Sequence, residues 1–271
     1  MTKRIAFIGG GNMASAILGG LINQGVPQDS LVVIDPSNEA CLKIKHAFDV
    51  GSEVSPGPFL SDFHLVVWAV KPQFFHMAAL EAAPFVKQAL HFSVAAGIRT
   101  DSIANWIDSH RVVRAMPNTP ALIGKGITAL FACAAVSDID RHLINEVMQT
   151  TGSLIWLDKE DQLDAVTALS GSGPAYVFYF LEAMTEAGIS LGLTRSQAYQ
   201  LSIETFIGSA ELAKSSSETP ELLRGRVTSK GGTTFSALNH MEDKEIKVNF
   251  IKAIQAAANR AQELGKEFGK A

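Results

Sequence analysis

The sequence is short of several things, and each shortage excludes a class of protein. It has two cysteines in 271 residues, Cys41 and Cys133, far apart in the chain. That spacing supports neither a disulfide framework nor a cysteine metal site, and it fits a reducing cytoplasmic compartment. The histidines never fall within one helical turn of each other, so paired metal ligands at helical spacing are missing. No apolar run approaches the roughly 18 residues of a membrane span. Charged residues make up only 18%, the net charge is −4, and neither sign forms a run. No nucleic-acid or anionic-membrane partner is expected from such a balance. With 47% apolar residues the chain is nevertheless rich enough to bury a substantial core.

What is present begins at the N-terminus. Lys3 and Arg4, the apolar stretch Ile5–Gly11 and the small residues Ala14-Ser15-Ala16 imitate a secretory leader. Three glycines and Asn12 break that stretch, and a different use accounts for them. The first half of the chain alternates compact apolar runs with helical spacing. Ile5–Ile8, Leu31–Ile34, Leu65–Val70, His91–Ala95 and Val112–Ala115 read as strands, with Ile127–Ala132 and Ser153–Leu157 as further ones. Ser137 is placed to cap a helix from Asp138 to about Thr150. This pattern predicts an α/β Rossmann-type, doubly wound parallel sheet over residues 1–161.

From residue 162 to 271 no strand is evident. The segments 162–188, 196–214, 220–225, 234–241 and 244–268 read as helices. In the last, Ile246, Phe250, Ile254, Ala257, Ala261, Leu264 and Phe268 recur at steps of three and four. So much alanine and apolar surface in an all-helical segment points either to a self-contained bundle or to burial against another subunit.

Phe7-Ile8-Gly9-Gly10-Gly11-Asn12-Met13-Ala14 places a G-x-G-x-x-A pattern between the first strand and the first helix. Gly9 allows the tight turn, Gly11 allows close approach to a pyrophosphate, and Ala14 allows close helix–strand packing. Backbone N–H groups at the helix start then face the phosphates. Asp35 closes the second strand, where an acid hydrogen-bonds an adenosine ribose and favours NAD(H). Pro36, Ser37 and Asn38 follow, and hydroxyl, amide and backbone donors there suit a 2′-phosphate, with Lys43 and Lys45 nearby. The residues therefore specify a dinucleotide and leave NADP(H) and NAD(H) both open. Ala69-Val70-Lys71-Pro72 and Ala95-Ala96-Gly97 end two later strands, where ligands of such sheets bind. Lys71 can reach a ribose or amide there, and the small residues leave room for a nicotinamide.

The helical half carries two irregular stretches. Ser170-Gly171-Ser172-Gly173-Pro174 interrupts a helical run, which is costly unless it serves a close approach. Val227-Thr228-Ser229-Lys230-Gly231-Gly232-Thr233-Thr234 opens a helix with glycines and hydroxyls, either as a capped interhelical turn or as a nest for a small carboxylate. The sequence offers no His–Asp dehydrogenase pair and no nucleophile elbow. Reduction of an iminium carbon needs neither, because the nitrogen already carries the proton.

Taken together, the glycine turn, Ala69–Pro72, Arg114–Pro120, Ala168–Tyr176 and Val227–Thr234 resemble pyrroline-5-carboxylate reductase from end to end. The resemblance implies reduction of an imino acid by NADP(H) or NAD(H) in the last step of proline synthesis. It implies that Phe7–Met13, Asp35, Ser37, Ala69–Pro72 and Ala95–Gly97 line the cofactor. It also implies that Ser229 is among the substrate-binding residues, that backbone groups of Gly231, Gly232 and Thr233 hold the substrate carboxylate, and that Thr234 hydrogen-bonds the ring nitrogen as proton donor or relay. Glu160 matches an acidic position near the substrate pocket in some members, with Asp161 and Asp164 as competing acids, and Ser172 and Pro174 shape the floor near the nicotinamide. The family's helical domain forms an intertwined homodimer, often assembled further into a decamer, so residues 162–271 are expected to be a substrate-binding and dimerisation domain. Lys230 departs from the family's usual proline. Two other readings compete. A β-hydroxyacid dehydrogenase would place a catalytic lysine within residues 172–186, which contain none, and a non-catalytic redox sensor would not need the Gly231–Thr234 turn.

Overall fold

The computed structural model describes residues 3–269. Eight strands form one sheet: β1 (Ile5–Ile8), β2 (Leu31–Ile34), β3 (Gly51–Glu53), β4 (Leu65–Trp68), β5 (Leu90–Ser93), β6 (Val112–Met116), β7 (Gly126–Ala132) and β8 (Gly152–Trp156). Their order is β3-β2-β1-β4-β5-β6-β7-β8. Helices α1 (Asn12–Asn23), α2 (Asn38–Phe48), α3 (Pro72–Val86), α4 (Thr100–Ile107), α5 (Asp138–Met148) and α6 (Gln162–Val166) accompany it. α7 (Gly173–Ser190), α8 (Arg195–Ser215), α9 (Pro220–Arg226), α10 (Thr233–Asp243) and α11 (Ile246–Phe268) complete the chain.

β1, β2 and β4 are apolar throughout because both faces of the sheet are covered there. Side chains alternate between the faces. Ile5 and Phe7 join Val33, Val67 and Phe92 beneath Ile17 and Leu18 of α1 and Leu143 and Ile144 of α5. Ala6 and Ile8 join Val66 and Trp68 on the opposite face, against Phe75 and Ala79 of α3 and Ile103 of α4. Ser137 caps α5 as expected, in a reciprocal capping box with Asp140. Asp140 also takes a forked pair of hydrogen bonds from Arg111, which holds its carboxyl at about 2.

Three features differ from the sequence reading. β3 was not foreseen, since Gly51-Ser52-Glu53 is short, polar and at the sheet edge. β7 pairs antiparallel with β6, whereas the other pairings are parallel. The connection between them is a single helical turn, Thr119–Ile123, too short for a parallel crossover. The chain also divides in space differently from a cut at residue 161. One compact unit runs up to Gly173 and takes the chain back from Ala256 onward, and the other is Pro174–Gln255. α6 stays with the sheet because Leu163 is fully buried there, and Phe268 near the chain's end packs into the α3–α4 core.

A buried ionic knot ties the elements at one end of the sheet. Arg114, in the otherwise apolar β6, is 3% exposed and donates to Glu160 at 3.0 Å. Glu160 also accepts from the Thr100 backbone N–H at 2.8 Å and from its hydroxyl at 2.7 Å. Arg99 lies 3.6 Å from the same carboxylate and donates to Asp161 at 2.6 Å. Asp164 lies 3.9 Å from Arg114. The start of α4, the end of β6 and the approach to α6 are thus fixed to one another by side chains of opposite charge.

On the opposite sheet face, Trp68 donates through Nε1 to Nδ1 of His91 at 3.2 Å, and both residues are fully buried. Burial, then the nearby Arg111 charge, holds the imidazole down at about 3.

Two predictions follow from these buried groups. Glu160→Ala leaves the Arg114 guanidinium buried without its partner and should cost about 3–5 kcal/mol in urea unfolding; a loss below about 1 kcal/mol would contradict the knot's role. His91 is neutral when folded and takes up a proton near pH 6.5 when unfolded. Its contribution is therefore complete above about pH 6.5 and declines toward pH 3, by about 1.4 kcal/mol per pH unit. His91→Gln keeps an acceptor for Trp68 and should flatten the stability profile between pH 4 and 6.5; an unchanged slope would contradict the assignment.

Candidate active site

The turn after β1 is built around glycine for two separate reasons. Gly9 has φ +99°, and a Cβ there would lie 2.6 Å from the carbonyl oxygen of Ala69. Only glycine satisfies both the left-handed backbone and the contact with the end of β4. Gly11, in contrast, faces open space, since a Cβ there would meet nothing within 4 Å. It precedes α1 as N-cap with extended backbone and no side-chain cap, so the helix's first N–H groups are open to an anion. Asn12 opens α1, Met13 is half-buried and Ala14 is fully buried against the sheet. The side chains of Phe7 and Ile8 also lie in the core, so these two residues carry the turn from beneath.

Asp35 fixes the turn's geometry. Its Oδ2 accepts from the Gly10 N–H at 2.8 Å and its Oδ1 from the Ser37 N–H at 2.9 Å. The Ser37 hydroxyl accepts from the Ala40 N–H at 3.3 Å and caps α2. Lys43 and Lys45 are paired along their own helix, with Glu39 and Asp49, each at 2.7 Å.

β1 and β4 are neighbours although β2 and β3 lie between them in sequence, and here the strand order reverses direction. Open α/β sheets bind ligands at such a point, beyond the strands' carboxyl ends. Gly9–Met13, Ala69–Pro72 and Ala95–Gly97 all follow strands that end on this edge. Lys71 is exposed as the N-cap of α3, with Pro72 in the first turn. Ala95 is buried and Gly97 takes φ +80°.

The break at Ser170–Pro174 is one turn of π-helix, Thr167–Gly171, joining α6 to α7. Such turns recur at functional sites. Met116 at the end of β6 fills the space a Gly171 side chain would occupy, with its Cε 2.5 Å from the Cβ position. Ser172 follows as a bend, and Pro174 stands in the first turn of α7.

Within the helical unit, Val227–Thr234 forms a turn into α10. Gly231 adopts φ +75°, and a Cβ on Gly232 would lie 2.6 Å from the Ser229 hydroxyl. The Gly232 N–H donates to the Ser229 carbonyl at 3.0 Å and closes the turn. Gly232 is the N-cap of α10 with no side-chain cap, leaving the first N–H groups of that helix to an external acceptor. Thr233 is exposed and Thr234 half-buried in this first turn.

Glu160 belongs to the sheet-bearing unit. Both its oxygens are taken by Thr100 and Arg114. The residues that sequence reasoning missed are its partners. An arginine within the strand Val112-Val113-Arg114-Ala115-Met116 was the available signal, because a charge in a buried strand requires a counter-charge.

Comparison with known proteins gives these features a context. Residues 160–264 match the family model for pyrroline-5-carboxylate reductase dimerisation, and residues 4–97 match the model for NADP oxidoreductase, coenzyme F420-dependent. The pyrroline-5-carboxylate reductase of Pseudomonas aeruginosa is 42% identical, over 99% of each chain. The solved structure of the enzyme from Coxiella burnetii is 38% identical, with a TM-score of 0.88 over 97% of this chain and 99% of that one. The pyrroline carboxylate reductase of Plasmodium falciparum, solved with NADP bound, is 27% identical, with a TM-score of 0.88 over 97% and 98%. Identity at this level, sustained along the whole length, places the chain in the pyrroline-5-carboxylate reductase family.

Proposed function

We propose that this protein reduces L-1-pyrroline-5-carboxylate to L-proline with NADP(H), and that it also accepts NAD(H). The observation that carries the reading is the Ser229–Thr234 turn. It presents glycine backbone and an uncapped helix start to an anion, and two residues later a hydroxyl, in a chain whose sheet ends in a dinucleotide turn. Pyrroline-5-carboxylate pairs a carboxylate with an imine nitrogen on one small ring, which is what such a turn can hold.

When bound, the nicotinamide supplies the hydride that adds to the imine carbon, and the nitrogen ends with the proton. The chain's residues bind and orient. Gly9–Met13 accept the pyrophosphate at the start of α1, while Asp35 and Ser37 face the adenosine ribose. Ala69–Pro72 and Ala95–Gly97 line the remainder of the dinucleotide. The N–H groups at Gly231, Gly232 and Thr233 take the carboxylate, with Ser229 closing the turn beneath them. The Thr234 hydroxyl donates to the ring nitrogen or relays its proton. Glu160 is also carried as a substrate-side residue, with a positioning role through the hydrogen bonds it accepts from Thr100 and Arg114.

The helical unit supports a homodimer, and further assembly into a decamer is in keeping with the family. α7 and α8 have 18 and 21 residues, yet bury only Leu181, Thr185, Ala198 and Ser202. Val177, Phe178, Tyr179, Leu201 and Leu212 are exposed on them within the single chain. Apolar surface of that extent is characteristic of a face covered by another subunit. No helix among the described residues is long and apolar enough to cross a membrane, and a cytoplasmic location is proposed.

Thr234→Ala should lower kcat by about 10²-fold, the lower range of a lost general acid, while leaving the Kd for NADPH unchanged. Thr234→Ser, which restores the hydroxyl, should recover most of the rate. Full activity in the alanine variant would remove Thr234 from the chemistry. Light scattering should give at least twice the monomer mass, and a stable monomer at assay concentration would contradict the subunit face.

A further inference from the structure

The far end of α11 makes a contact that the proposed chemistry does not use. The backbone of Leu264 and Gly265 lies directly against the loop between β5 and α4. A Cβ on Gly97 would be 3.2 Å from the Gly265 backbone nitrogen and 3.4 Å from the Leu264 carbonyl carbon. From the other side, a Cβ on Gly265 would be 3.0 Å from the Gly97 carbonyl oxygen. Each glycine occupies the space that a side chain on the other would need. The contact is locked beyond the loop as well. The Ser102 hydroxyl, in the first turn of α4, donates to the Gly269 carbonyl at 3.0 Å, and Phe268 packs against the core formed by α3 and α4.

The loop in question is Ala95-Ala96-Gly97, placed beside the dinucleotide in the reading above. It follows the buried strand β5, and three residues after Gly97 the chain is pinned again by Glu160 at Thr100. Its position is therefore set from two directions, by the ionic knot and by the end of α11. We propose that residues 264–269 form a positioning element for the Ala95–Gly97 loop, so that the end of the last helix governs how well the cofactor binds. The idea rests on the assignment of that loop to the dinucleotide. It assigns a use to a segment of which residues 265–269 lie beyond the part of the chain matched by the dimerisation model, 160–264. The physical reason is that two backbones in contact leave no side chain to absorb a displacement.

The test is a graded series at Gly265. Gly265→Ala adds one carbon at 3.0 Å from the Gly97 carbonyl, and Gly265→Val adds bulk beyond it. The Kd for NADPH, measured by fluorescence without substrate, should rise about threefold in the alanine variant and at least tenfold in the valine variant. The KM for pyrroline-5-carboxylate at saturating NADPH should stay within twofold in both. A purely structural role would lower the melting temperature without separating these two constants. Should the valine variant fail to fold, the alanine variant and Ser102→Ala, which removes only the hydrogen bond to Gly269, decide the matter. The proposal is overturned if every folded member of the series binds NADPH within twofold of the unaltered chain. If the unaltered chain itself binds no NADPH, the function reading fails instead, and the two failures are distinct.

Discussion

The structure depends on one buried charge pair, Arg114 with Glu160. An arginine inside a sheet is a liability unless its charge is matched, and here the match also does positional work. Glu160 takes both the N–H and the hydroxyl of Thr100, the first residue of α4. A single carboxylate thereby holds a strand, a helix start and the approach to the π-turn. Removing the carboxylate would leave a buried guanidinium facing backbone and hydroxyl groups that need an acceptor.

The glycine turn after β1 follows the same logic on a smaller scale. Gly9 is held against the Ala69 carbonyl, and Asp35 accepts the Gly10 N–H. What remains open is Gly11 and the first turn of α1. The turn is fixed on the side facing the protein and free on the side facing a ligand. The Gly231-Gly232 turn repeats the pattern in the helical unit, with one glycine required by conformation and the other by the Ser229 hydroxyl.

Much of this was legible in the sequence because it rests on local chemistry. Apolar runs buried on both faces mark the strands, and glycine at fixed spacing marks the tight turn after β1. Ser137 marks the start of a helix through its own cap. The rest depends on partners distant in sequence. β3 has no apolar pattern because it sits at an edge, and the direction of β7 is set by the short turn before it. The hydrogen bonds of Glu160 to Thr100 and Arg114 were hidden in the same way, because residues 100, 114 and 160 are far apart in sequence. The return of α11 to the sheet-bearing unit was equally hidden, since its periodicity specifies a helix and an apolar face but not what Gly265 meets.

The central claim is that this chain reduces a cyclic imine to an amino acid with a nicotinamide cofactor. The most direct measurement is the stoichiometry of that conversion. The purified protein, supplied with NADPH and L-1-pyrroline-5-carboxylate, should form one L-proline for each NADPH consumed, and neither change should occur when the imine is omitted. NADPH consumption without proline, or no consumption with either NADPH or NADH, would contradict the account.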